Sequence, residues 1–337
     1  MTAPYLDRVA LRGCPTQPTP LTLGTWGVMT DAYQDVLTDA AFQELVVYAY
    51  KLGIRSFDLA LLWDGERAMR LLAEALGPET ASCFFFLRAG RLPTGKPNAP
   101  ITADFGLRAL RPHVERAREL LGVGRIDMLL LHAPPRTLVE RGETMQSLDE
   151  LRSEELVHAI GLSTTSGAVA LTALEQGFAC AAMPYNALQT HAVRELDEGF
   201  PVVGDESPRC VLAPSPLLHG VMPARIPAGH VYPPGDHRRD RWTEDALRTR
   251  IYHARALAGL AKRHTDNARK SETYIPDLTA LALRFALSHP RVASVAIGPR
   301  TTKQLALLMD SVNEADPLAL DAETLREIET RLASAGA

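Results

Sequence analysis

Short apolar runs alternate with longer stretches of helical period along the chain. Eight runs read as strands: Leu21 to Thr25, Ile54 to Asp58, Cys83 to Arg88, Ile126 to His132, Ala159 to Ser163, Ala179 to Met183, Cys210 to Pro214 and Val292 to Ile297. Between the first two, Ala41, Phe42, Leu45, Val46, Ala49 and Leu52 follow the i, i+3, i+4 stripe of an amphipathic helix, with Thr38 as N-cap and Gly53 closing its end. Similar stripes occupy 65–77, 104–121, 142–156, 166–176, 244–264 and 276–288. This alternation predicts parallel strands joined by crossover helices. No G-x-G-x-x-G follows the first strand to mark the crevice of an open doubly wound sheet, so the α/β class resolves to a closed (β/α)8 TIM barrel.

At 337 residues the chain fits one such barrel, spanning 1–337. Two Pro- and Gly-rich stretches, 89–103 and 219–243, follow the third and seventh strands and fall on the C-terminal face, where barrels keep their chemistry. A helix over 321–332 stands outside the repeat. Composition narrows the partners. With 36 Lys+Arg against 40 Asp+Glu the net charge is −4, which gives no attraction to nucleic acid or to an anionic membrane surface. Cys14, Cys83, Cys180 and Cys210 are scattered, with no C-x-x-C pair to hold zinc, and no metal site is expected. Reduced thiols, the absence of a signal-peptide pattern and apolar runs too short to span a bilayer point to a cytoplasmic protein.

Polar residues that end apolar strands point into the mouth of a barrel. Asp58 ends IRSFD, Arg88 ends CFFFLR and His132 ends IDMLLLH. Taken singly, each has a structural explanation: a buried ion pair for Asp58 and Arg88, a satisfied core histidine for His132. Three at equivalent strand ends favour chemistry. Trp26 and Trp63 are candidates for an aromatic wall against a flat substrate, with core packing as the competing account. Tyr185 and His219 follow strands and are candidate substrate contacts. The HRRDR run, 237–241, reads as a solvated face whose placement also permits an anionic substrate group to be held.

The segments LTLGTWG (21–27), GIRSFDLALLWDGE (53–66), RELLGVGRIDMLLLH (118–132), LDELRSEELVHAIGLS (148–163), LAPSPLLHG (212–220) and HPRVASVAIGPRTTKQL (289–305) resemble the aldo-keto reductase superfamily. That resemblance implies NADPH and a tetrad of Asp, Tyr, Lys and His, in which the Tyr protonates the carbonyl oxygen as hydride arrives and the Lys, paired with Asp, lowers the Tyr pKa. By motif position the Asp is Asp58 and the His is His132, while Trp63 stands where the Tyr is expected and Arg88 where the Lys is expected. An indole N–H has no useful acidity and a guanidinium stays protonated, so neither can relay a proton. For the cofactor, the resemblance implies Ser163, followed by Thr164, at the nicotinamide amide, Ser215 as a further cofactor contact, and Gly298, Arg300, Thr301 and Gln304 along the 2′-phosphate and pyrophosphate at a helix N-terminus. Ordinary helix capping by Thr301 is the alternative account of GPRTTKQ. Met183 replaces the expected amide-holding Gln, Pro214 the stacking Tyr, and Leu307 and Leu308 the polar partners of adenine.

These departures predict no cofactor, or weakly bound NADPH, and a redox site converted to acid/base work on a small-molecule substrate: dehydration, isomerisation or cyclisation. In that reading His132 is the acid or base with a pKa near neutrality, Arg88 holds an oxyanion or carboxylate, and Asp58 orients Arg88 or acts as base. Two alternatives stand beside it. One is an NADPH-dependent carbonyl oxidoreductase with an atypical tetrad, the other a non-catalytic binding or sensor protein.

Overall fold

The computed structural model describes residues 6–28, 33, 37–62, 64–92, 102–200, 209–227, 229–263, 277–313 and 319–336. Eight parallel strands close into a barrel: β1 (Leu21–Gly24), β2 (Ser56–Ala60), β3 (Phe84–Ala89), β4 (Ile126–His132), β5 (Val157–Ser163), β6 (Cys180–Ala182), β7 (Val211–Pro214) and β8 (Val292–Ile297). Each pairs with its sequence neighbours, and β8 returns to β1 with Leu21 opposite Val295. Helices α1 (Asp39–Lys51), α2 (Gly65–Leu76), α3 (Leu107–Leu121), α4 (Met145–Ser153), α5 (Gly167–Glu175), α6 (His191–Gly199), α7 (Leu278–Leu287) and α8 (Thr302–Asn313) form the outer ring. This is the (β/α)8 TIM barrel that the alternation predicts. No helix among the described residues is long and apolar enough to cross a membrane.

Local chemistry explains the boundaries. Thr38 caps α1 as expected, its Oγ1 accepting from the Ala41 N–H at 3.2 Å, and Gly53 turns the chain out of that helix with φ of 93°. Strand β2 starts at Ser56 and runs on to Ala60, so Asp58 is its middle residue and not its last. The stripe expected over 142–156 forms α4, a separate short helix, Arg136–Glu140, precedes it, and the stripe over 244–264 breaks at Leu257 into Glu244–Ala256 and Ala258–Arg263. Helix α6 has no counterpart in the sequence reading, because its nine residues carry only Val193 and Leu196 as buried apolar positions. The terminal helix, Ala322–Ser334, is capped by Asp321 and packs on Glu244–Ala256, where Arg331 donates to the Ala256 carbonyl.

Two cores result from strand alternation, because successive side chains face opposite sides of a sheet. Leu23, Phe57, Phe85, Leu87, Leu129 and Leu131 point outward into the layer beneath the helices. Phe84, Phe86, Met128, Leu130, Ala159, Cys180, Leu212 and Ala296 fill the interior, which the N-terminal segment closes from below with Leu11. Burying each phenylalanine there stabilises the fold by about 1.5–3 kcal/mol. The interior is tight at Gly161: a Cβ there meets the Cys180 carbonyl at 2.4 Å and Leu130 Cδ2 at 2.7 Å. Gly161→Ala should therefore cost about 1–3 kcal/mol through overpacking. The measurement is the urea midpoint, which falls if the interior cannot yield and stays put if it can.

Candidate active site

The same parity carries the chemistry. Phe84, Phe86 and Arg88 share the inward face of β3, Met128, Leu130 and His132 that of β4, and Ser56 and Asp58 that of β2. The apolar members plug the barrel and the polar members end the plug at the C-terminal mouth. Asp58 lies in register with Phe86, so Arg88 sits one inward layer above on the adjacent strand and its guanidinium reaches back diagonally. The result is a two-pronged ion pair, Nε to Oδ1 at 2.7 Å and Nη2 to Oδ2 at 2.8 Å, with the side chains 14% and 12% exposed. Burial works to lower the Arg88 pKa, but the charge and hydrogen bonds of Asp58 outweigh it and raise it. Arg88 is therefore a fixed cation, and Nη1 is the prong not engaged with Asp58.

His132 lies beside this pair. Burial, then the charges of Arg88 and Arg91, push its pKa down to about 3. The expected near-neutral value is thus corrected: a cation is too costly in a half-dry mouth that already holds Arg88. His132 stays an uncharged imidazole across ordinary pH, able to make hydrogen bonds but not to exchange a proton near neutrality.

A cavity of about 840 Å³ opens above these residues. Its floor includes Trp26, Asp58, Arg88 and His132, and it runs along Pro214–Gly220 to Gly298, Arg300 and Gln304. His219 borders it from a turn with φ of 54°, and burial with the charges of Arg241, His237 and Arg238 pushes its pKa down to about 3. Ser215 also borders it, in a left-handed conformation of φ 61°.

Other expected site residues are elsewhere. Tyr185 is buried beneath the mouth, stacked on Phe285 at 5.3 Å between ring centres, so it is a core residue and not a substrate contact. Ser163 faces inward at the top of β5, but it does not border the cavity and its Oγ accepts the Ala133 N–H at 2.9 Å. Thr301 caps α8, accepting from the Gln304 N–H at 3.1 Å, while Gln304 Oε1 accepts from the Arg300 N–H at 2.7 Å. The capping account of this segment therefore holds for Thr301, whereas Arg300 and Gln304 also face the cavity. Met183 is fully buried, and Pro214, Leu307 and Leu308 border the cavity. Trp63 lies outside the described residues. Arg238 and Arg241 of the HRRDR run border the cavity, as its placement allowed, whereas Tyr33 and Arg225 were not singled out because they come from loops that show no periodicity.

The dinucleotide can be tested against this geometry. Gly298 borders the cavity, and a Cβ built on it meets no atom within 4 Å, so the backbone there stands open to a bound group. With Ser215, Arg300 and Gln304 this end fits a phosphate-bearing group, whereas the amide end lacks the side chains of Ser163 and Met183.

The aldo/keto reductase family model matches residues 20–330. The chain belongs to that family. L-galactose dehydrogenase of Arabidopsis thaliana is 22% identical over 292 residues, covering 84% of this chain and 82% of the relative. Among solved structures, glycerol dehydrogenase of Gluconobacter oxydans superposes with a TM-score of 0.77 at 19% identity, covering 97% of this chain and 95% of the other. An aldo-keto reductase of Bacillus halodurans, in its holo form, gives 0.73 at 20% identity, covering 97% and 96%. The protein is thus an enzyme on an aldo-keto reductase barrel.

Two measurements check the aldo-keto reductase mouth. Asp58→Ala leaves the Arg88 guanidinium without its counter-charge and should cost about 3–5 kcal/mol in urea unfolding. A loss below about 1 kcal/mol means that the pair is solvated. In an imidazole NMR titration His132 should remain neutral at pH 5. Because its folded pKa lies below the ordinary 6.5, stability is present above that value and declines as pH falls toward about 3.

Proposed function

We propose that this aldo-keto reductase is a nicotinamide-dependent oxidoreductase that interconverts a carbonyl and an alcohol on a small polyhydroxylated substrate. The observation that carries the reading is the single cavity joining the Asp58–Arg88–His132 floor to the Gly298–Arg300–Gln304 end. The names of two relatives, a galactose and a glycerol dehydrogenase, support the polyhydroxy class. Conversion to acid/base chemistry loses its principal group, because an imidazole depressed to about 3 neither gives nor takes a proton at neutral pH.

Ser215, Gly298, Arg300 and Gln304 would hold the dinucleotide at its phosphate-bearing end. The cofactor, when bound, supplies or accepts a hydride at the substrate carbon. Arg88 Nη1 and neutral His132 donate hydrogen bonds to the substrate oxygen and stabilise the negative charge that grows there. Asp58 keeps the Arg88 fork oriented and is a positioning residue. Neither Arg88 nor His132 can surrender a proton, so in reduction the oxygen takes its proton from water at the open mouth. Trp63 and Arg88, in place of a phenol and an amine, make this a departure from the family's proton relay.

Two consequences are measurable. The missing amide contacts are each worth on the order of 1 kcal/mol, so nicotinamide fluorescence should give a NADPH Kd of about 10 μM or weaker. A submicromolar value means that the amide end is intact. A panel of aldoses and polyols with NAD(P)+ or NAD(P)H should show nicotinamide absorbance changes, and Arg88→Met should lower kcat about a hundredfold or more. Nicotinamide turnover absent across the panel with cofactor bound overturns the redox reading.

A further inference from the structure

The rim of the cavity is more basic than the floor needs. Five arginines border it: Arg88, Arg225, Arg238, Arg241 and Arg300. Arg88 is matched by Asp58, Arg225 by Asp277 at 3.1 Å and Arg238 by Asp236 at 2.5 Å. Arg300 lies over the Tyr33 ring at 4.3 Å and belongs to the Gly298–Arg300–Gln304 end. Arg241 has no carboxylate within ion-pair distance among the described residues, although Asp240 adjoins it in sequence.

The loop that carries Arg241 is a built structure. Asp236 is 5% exposed and grips the Arg238 fork, while Arg239 donates to the Tyr232 carbonyl at 3.1 Å. Trp242, the next residue, packs on the core, with the His219 ring at 5.7 Å on one side and the Arg250 guanidinium at 5.5 Å on another. These anchors hold Arg241 over the mouth with its outer part in water. A fixed guanidinium without a counter-charge, facing a cavity, is matched by the planar oxygens of a carboxylate or phosphate.

Building on the oxidoreductase reading, we propose that Arg241 is a specificity-determining residue that binds a carboxylate or phosphate group carried by the substrate. The preferred substrate is then a sugar acid or sugar phosphate, with the carbonyl at Arg88 and His132 and the anionic group at the rim.

Kinetics on matched pairs test this: glyceraldehyde with glyceraldehyde 3-phosphate, and glucose with glucuronate. The expected kcat/KM ratio favours the anionic partner by about tenfold to a hundredfold, and Arg241→Gln should abolish that preference while Arg241→Lys retains part of it. NADPH affinity should change less than threefold in either variant. In calorimetry without cofactor, 6-phosphogluconate should bind the natural protein at least tenfold more tightly than Arg241→Gln. That binding arm does not depend on turnover: loss of 6-phosphogluconate binding in a protein that reduces nothing upholds the anion site and removes the oxidoreductase reading. A preference that survives Arg241→Gln, or a tenfold loss of NADPH affinity with 6-phosphogluconate binding unchanged, overturns the proposal, the second by assigning Arg241 to the cofactor. Absence of 6-phosphogluconate binding in the natural protein overturns it as well.

Discussion

Closure of the sheet imposes the constraint on which everything else depends. A barrel of eight strands has an interior just wide enough for side chains to fill, and strand pleating sends every second residue into it. Large apolar groups such as Phe84, Phe86 and Met128 occupy that space up to the level of Arg88 and His132. Above them the plug ends and the mouth begins. One register therefore decides both stability and chemistry: a one-residue slip of β3 would turn Arg88 into the helix layer and an apolar neighbour into the mouth.

Within the mouth, the Asp58–Arg88 pair sets the charge. The carboxylate fixes the guanidinium in direction as well as in protonation, and the guanidinium in turn helps keep His132 neutral. The imidazole is then a hydrogen-bonding group with a constant state, not a titrating one. In the proposed reaction, a site so arranged would stabilise negative charge on a substrate oxygen and leave proton delivery to water. The long cavity gives that floor two kinds of neighbour: an open backbone at Gly298 and a loop held by Asp236 that presents arginine at the rim.

Much of the barrel was legible along the chain. The eight apolar runs coincide with the eight strands to within two residues at each end, since buried parallel strands read as continuous apolar segments. Thr38 and Asp321 mark helix starts through side-chain capping, a local interaction that sequence carries directly. Asp58, Arg88 and His132 were found by their places in the strands and do converge on one cavity. Helix α6 was not legible because two apolar positions make no stripe, and the break at Leu257 was not because its nearest glycine, Gly259, lies past it, inside the second helix.

Sequence by itself determined the family, the closed barrel and the identity of the polar residues at its mouth, because hydrophobic period and residue type are properties of the chain. Tertiary structure decided their states. Whether His132 titrates near neutrality depends on burial and on the distance to Arg88, and neither is written in IDMLLLH. Whether Tyr185 meets substrate or core depends on Phe285, a hundred positions away in the chain. Likewise HRRDR reads as one solvated run, yet folding spends Arg238 on Asp236 and leaves Arg241 facing the cavity. Charge pairing and desolvation are set by which groups meet in space, and only the closed fold brings them together.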